Sequence, residues 1–220
     1  MALLLNIDTA VDGASICISK NETVLAYTEH PTPTAHASWI GNAIKNLFTS
    51  NQLSMNDLDA IAVSNGPGSY TGLRIGLATA KGLCFALDKP LICLNTLKIM
   101  ASAVCDADTD LICPVIDARR MEVYTAVYEK DLTIRTPPEA LIVNDTSYAA
   151  LLDGSRVLFT GNGVPKLQQV IKHSNAIFSN NRYTAANMPV LTIKQYVEQQ
   201  FDDLSYTEPF YLKAVYFNKN

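Results

Sequence analysis

The chain has 220 residues, 48% of them hydrophobic and 17% charged, with a net charge of −4 at neutral pH. That is enough apolar material for a sizeable core, in one large domain or two small lobes, and it excludes a disordered chain. The charge balance gives no basic footprint for holding RNA unaided, and no apolar run reaches transmembrane length.

Met1 to Leu5 is apolar but lacks a charged leader and is cut short by Asp8, so it reads as a first strand rather than a signal peptide. Leu3 to Asp8, Ser15 to Ser19 and Thr23 to Glu29 read as three antiparallel strands, with turns at Asp12-Gly13 and Asn21. Between Ala35 and Ser50, the residues Trp39, Ile40, Ala43, Ile44 and Leu47 recur at helical spacing, and Thr34 stands at the cap position. Strand Ala60 to Ser64, helix Thr71 to Leu87 and strand Leu91 to Leu94 make a right-handed βαβ crossover. Thr96 opens a further helix that fades near Cys105.

The polar stretch Asp106 to Asp110 interrupts the apolar pattern and divides a lobe of residues 1–106 from one of residues 107–220. Leu111 to Ile116, Val123 to Tyr128 and Val157 to Thr160 read as strands, with Pro137-Pro138 marking an irregular edge. Helical segments fall at Ser147 to Leu152, Val164 to Ile171 and Val190 to Gln200. Two strand-rich lobes that both carry helices point to duplicated α/β units.

Ser64 to Gly76, S-N-G-P-G-S-Y-T-G-L-R-I-G, is a strand end, a glycine-proline turn and a helix start. Ser69 or Thr71 caps that helix, and its free amides suit an anion or close contact with a partner. No lysine follows the glycines, so this is not a G-x-x-x-x-G-K-[ST] loop. In the helix, Gly72, Gly76 and Ala80 form a stripe of little bulk, with Thr79 alongside. Glycine there costs about 1 kcal/mol relative to alanine, which close helix packing offsets, inside the chain or against another one. Arg74, Arg119 and Arg120 have forks that suit phosphate or carboxylate, with simple surface solvation as the alternative. The five cysteines, Cys17, Cys84, Cys93, Cys105 and Cys113, stand singly without metal spacing and read as reduced packing residues of a cytosolic protein.

Together with N-I-D-T-A at Asn6 to Ala10, D-A-R-R-M-E-V-Y at Asp117 to Tyr124 and E-P-F-Y-L-K at Glu208 to Lys213, the glycine-turn segment resembles the TsaB (YeaZ) family. That family consists of tRNA threonylcarbamoyladenosine biosynthesis proteins and is paralogous to TsaD. The resemblance implies an α/β actin-like ATPase fold, as in sugar kinases, Hsp70 and actin: two lobes with mixed β-sheets and flanking helices, the second reduced. It also matches Asn162 between its glycines and Tyr211-Leu212-Lys213 near the end, which are read only as turn and packing residues.

The implied role is a noncatalytic dimerisation subunit in the cytoplasm. It would bind TsaD through the first two helices, act with TsaE in the full complex and reach tRNA only through that complex. The complex transfers threonylcarbamoyl to N6 of adenosine 37 in tRNAs that read codons beginning with adenine. The same faces allow a homodimer, and Trp39, Ala43, Gly72, Gly76, Thr79 and Ala80 are the candidate interface residues.

In kinases of this fold a strand-end aspartate lies near the nucleotide phosphates and metal. Asp8 and Thr9, with Gly68 and Ser69, are therefore the candidate nucleotide contacts, against the plainer reading of a strand-end aspartate that satisfies turn amides. No tightly bound cofactor is expected, with ATP or ADP and Mg held at most weakly at subunit interfaces. TsaD holds its metal through a His-x-x-x-His pair. Here Ile40 stands four places after His36, so no metal site is expected, and the resemblance implies no catalytic residue. The rival reading is a small-molecule kinase or ATPase of the same fold.

Overall fold

A computed structural model describes residues 1–30 and 36–213, leaving out the side chain of His36. The Thr34 cap and the position of the His36 imidazole thus lie outside the described residues.

Strands β1 (Leu3–Asp8), β2 (Ala14–Lys20), β3 (Thr23–His30), β4 (Ala60–Gly66) and β5 (Leu91–Asn95) form the first sheet, in the order β3-β2-β1-β4-β5. The meander is antiparallel, and β4 and β5 add parallel strands on the other side of β1. The second sheet runs β8 (Ile134–Ile142), β7 (Glu122–Glu129), β6 (Leu111–Asp117), β9 (Val157–Thr160), β10 (Ala176–Ser179). Its central strand again has an antiparallel neighbour on one side and a parallel one on the other. The two sheets therefore repeat one topology, with β6 in the place of β1 and β9 in the place of β4.

Pro137 and Pro138 lie inside β8, on the sheet edge, where a missing N–H breaks no ladder. Helices α1 (His36–Ser50), α2 (Tyr70–Leu87), α3 (Thr96–Ser102), α4 (Ala149–Leu152), α5 (Val164–Val170) and α6 (Pro189–Val197) cover the sheets.

Alternation along β1 sets the layers. Leu5 and Ile7 face a core shared with α1 and α2, while Leu4 faces one built with Met188 and Leu191. The chain thus returns to the first sheet after β10. Residues 107–220 are not confined to the second lobe, because α6 packs on β1 and β5. The buried Asn6 pins it there: Thr192 Oγ1 donates to Asn6 Oδ1 at 2.6 Å, and Asn6 Nδ2 donates to Ser19 Oγ at 3.2 Å.

The small-residue stripe of α2 packs inside the chain, which corrects the assignment of these residues to a partner surface. Gly72, Gly76 and Ala80 are buried. A Cβ at Gly72 would stand 2.0 Å from the Thr9 carbonyl oxygen, and one at Gly76 would stand 2.3 Å from Thr9 Oγ1. Ala43 on α1 is likewise buried in the first core. Because Gly72 touches backbone and Gly82 faces open space, the two glycines should respond oppositely to alanine. Gly72→Ala is expected to destabilise by at least about 1 to 3 kcal/mol, and Gly82→Ala to stabilise by up to about 1 kcal/mol. Urea denaturation of both variants checks this, and equal effects would contradict the packing described.

Candidate functional site

Both central strands end in an aspartate at the junction of the lobes, Asp8 on β1 and Asp117 on β6. Beside them the two lobes repeat a glycine turn. Gly66 has φ +118° at the end of β4, and Gly161 has φ +112° just after β9, a backbone that residues with a side chain rarely adopt. Two residues on, Gly68 lies against the Ala10 carbonyl and Gly163 against the Val115 carbonyl. Ser69 N donates to Ala10 O at 2.7 Å and Gly163 N to Val115 O at 3.1 Å.

The sequence-derived nucleotide residues do come together here, and the fold uses each of them. Thr9 Oγ1 donates to Gly72 O at 2.7 Å. Ser69 Oγ accepts from Gly72 N at 3.3 Å and so caps α2. Asp8 is 5% exposed, and its Oδ1 accepts from Ala10 N at 3.2 Å. Burial pushes its carboxyl up to about 6, against the opposing pull of the Ser64 and Ala10 hydrogen bonds.

Asn162 ties the lobes at this level. Its Oδ1 accepts from Asp117 N at 2.8 Å, and its Nδ2 donates to Asp12 Oδ1 at 3.0 Å. Asp117 Oδ1 also accepts from Arg119 N and from Lys166 Nζ, both at 2.6 Å. On either side of Asn162 lie a cavity of about 250 Å³, reached by Asp8, Asp12 and Tyr183, and a groove of about 500 Å³, reached by Ser69, Tyr70 and Arg119. Arg119 and Arg120 both have positive φ in the turn after β6. Lys166 and the role of Asn162 escaped the sequence reading, because their partners are 49 and 150 residues away.

A second feature faces outward. On α2, Ala78, Gly82 and Ala86 are exposed at four-residue spacing, and Phe85 beside them is 85% exposed. The helix thus has two small-residue stripes, and only the buried one was singled out from the sequence. Gly41 on α1 also faces open space. Trp39 is half-buried, its ring 5.7 Å from that of His30. Thr79 is half-buried as well and donates to Ile75 O at 2.8 Å. Arg74 is exposed, its Nε donating to Tyr211 Oη at 3.0 Å and its guanidinium lying 4.0 Å over the Tyr70 ring.

Among the described residues, no three His, Cys, Asp or Glu side chains gather as a metal site, and no helix is long and apolar enough to cross a membrane.

Two mirrored sheets, central strands ending in aspartates and glycine turns at the lobe junction define an actin-like ATPase fold. A solved activator of 2-hydroxyisocaproyl-CoA dehydratase from Clostridium difficile, with bound ADPNP, shares it at TM-score 0.54 and 11% identity over 90% of this chain and 97% of its own. YeaZ from Pseudomonas aeruginosa superposes at TM-score 0.85 with 23% identity, over 96% of this chain and 100% of that one.

The model of the family TsaD, tRNA N6-adenosine threonylcarbamoyltransferase, matches residues 30–209. The tRNA threonylcarbamoyladenosine biosynthesis protein TsaB of Bacillus subtilis is 32% identical over 77% of this chain and 75% of its own length. The Escherichia coli protein of that name is 36% identical over 58% of this chain and 55% of its own length. The chain belongs to the TsaB (YeaZ) family, within the wider family that the TsaD model describes. The match spans about half of the Escherichia coli relative.

The Asp8 carboxyl gives the site a pH signature. With a folded value of about 6 against 3.8 for the ordinary group, the native chain keeps a proton that the unfolded chain has lost between these values. Stability therefore falls as pH rises through this window and then levels off. Asp8→Asn keeps the acceptor for Ala10 and removes the buried charge. It is expected to be more stable than the unaltered chain at about pH 7, by up to about 3 kcal/mol, with the gap closing near pH 4. Urea titrations at the two pH values measure it, and a gap independent of pH would count against this account.

Proposed function

We propose that the chain is a noncatalytic accessory subunit in the biosynthesis of tRNA threonylcarbamoyladenosine, acting in the cytoplasm by docking and ordering a TsaD-type transferase, with TsaE completing the complex. The outward stripe of α2 carries this reading. Phe85 is 85% exposed among exposed Ala78, Gly82 and Ala86, a large aromatic on a face with little other side-chain bulk. A large aromatic flanked by small residues lets a partner helix approach closely and seat the ring as an anchor. The names of the relatives in Bacillus subtilis and Escherichia coli supply the pathway.

The lobe junction supports an accessory rather than a kinase role. The residues there do not fit a magnesium nucleotide: Asp117 is engaged by Lys166, Asn162 crosses the cleft to Asp12, and Thr9 and Ser69 are spent on the backbone of α2. Any ATP or ADP with Mg is then held weakly, in contact with a second subunit. A net charge of −4 leaves tRNA binding to the assembled complex. The same face of α2 serves a homodimer when the transferase is absent.

Phe85→Asp tests the docking face. The substitution puts a charge where an anchor is proposed, at a side chain that is 85% exposed. Thermal stability is expected to stay within about 0.5 kcal/mol, while co-purification with the TsaD-type partner falls at least about tenfold, the change expected when an anchor worth about 2 kcal/mol is lost. A folded variant that binds the transferase undiminished would remove this face from the interface.

A further inference from the structure

Residues 202–213 form no regular element, yet Asp202, Thr207, Glu208, Phe210 and Tyr211 all bond the first lobe. Asp202 N donates to Leu91 O at 2.9 Å, and Asp202 Oδ2 accepts from Cys93 N at 2.7 Å, so the segment starts on the open edge of β5. Lys81 Nζ then holds Thr207 O at 3.0 Å, and Asn65 Nδ2 holds Glu208 O at 3.2 Å. Phe210 N donates to Asn65 O at 2.7 Å. A Cβ on Gly66 would stand 2.3 Å from Phe210 O, so the segment lies in close contact with the glycine turn. Tyr211 receives Arg74 and stacks beside Tyr70, with ring centres 5.2 Å apart.

The next fastening is on the other lobe. Lys213 Nζ meets Glu122 Oε1, at the start of β7, at 2.5 Å. Glu122 is linked to the groove through Lys166, whose ammonium donates to the Glu122 carbonyl and to Asp117, a groove residue. Elsewhere the lobes share an apolar joint, where Leu97, Met100 and Ala101 of α3 pack with Ile112, Ile116 and Tyr128. A joint of this kind resists separation but permits small rotations, so ties away from it set the angle between the lobes.

We propose that residues 202–213 are a releasable strap that holds the two lobes closed over the groove beside Asn162, with the Lys213–Glu122 ion pair as its catch. The first-lobe end has several hydrogen bonds and stays fixed. The catch is an ion pair whose lysine side chain is 42% exposed, so it is salt-sensitive. Because the strap grips Arg74 and Lys81 on α2, a partner seated on that helix acts on the strap directly. The catch itself does not depend on that reading.

Hydrogen exchange on the full chain tests the strap. Lys213→Glu is expected to raise exchange about two- to fivefold in peptides covering residues 10–14 and 117–121, the scale set by one exposed pair. Peptides from α3 and β1 should stay unchanged. Adding Glu122→Lys to that variant should return the groove peptides toward their original rates. On the unaltered chain, raising ionic strength to about 1 M, where screening acts within about 3 Å, should reproduce the single variant. Unchanged exchange in Lys213→Glu, a rise that the paired exchange does not reverse, or indifference to salt would each overturn the proposal.

Discussion

The contact on which the rest of the molecule depends is the one between the end of β1 and the first two turns of α2. Thr9 and Ala10 press their backbone onto Gly68 and Gly72 with no room for a methyl group between them. Such an approach gives up helix propensity at the glycines and recovers dispersion contact along two backbones, with Thr9 Oγ1 to Gly72 O and Ser69 N to Ala10 O closing it. Once α2 is fixed in this way its rotation about its own axis is fixed too. Gly72, Gly76 and Ala80 must face the sheet, and Ala78, Gly82, Phe85 and Ala86 must face outward.

The second lobe repeats the plan at smaller scale and with a different result. A positive-φ glycine follows β9 as one ends β4, and in both lobes the second glycine rests on a backbone carbonyl, of Val115 here and of Ala10 in the first lobe. Yet α5, seven residues long, follows where the first lobe has the 18 residues of α2. The residue between the glycines differs as well: Pro67 in the first lobe and Asn162 in the second. A proline offers no donor, whereas the asparagine bonds both lobes and stands across the junction. Duplication therefore produced one lobe that presents a long helix and one whose turn fastens the cleft.

Much of this was legible in the sequence because it rests on local signals. The three-strand meander, the Ser69 cap, the helix to Leu87 and the paired lobes follow from turn residues and from apolar period. β8 and β10 were not read as strands. β8 has no buried residue and carries Pro137 and Pro138, and β10 is four half-buried residues, so neither shows the alternation that a half-buried strand requires. The return of α6 to the first sheet was hidden for another reason. Its anchor joins Thr192 to Asn6 across 186 residues, and no local pattern announces a bond of that length.

The candidate site was half legible for a related reason. A resemblance groups Asp8, Thr9, Gly68 and Ser69, but what each side chain does depends on its neighbours. The same holds for the glycines of α2. Spacing finds a stripe of small residues, and α2 has two such stripes. Which of them meets its own chain is decided by Thr9, a residue 63 positions before Gly72. The stripe with Thr9 against it is part of the core. The other, with Phe85 in its midst and nothing over Gly82, faces outward.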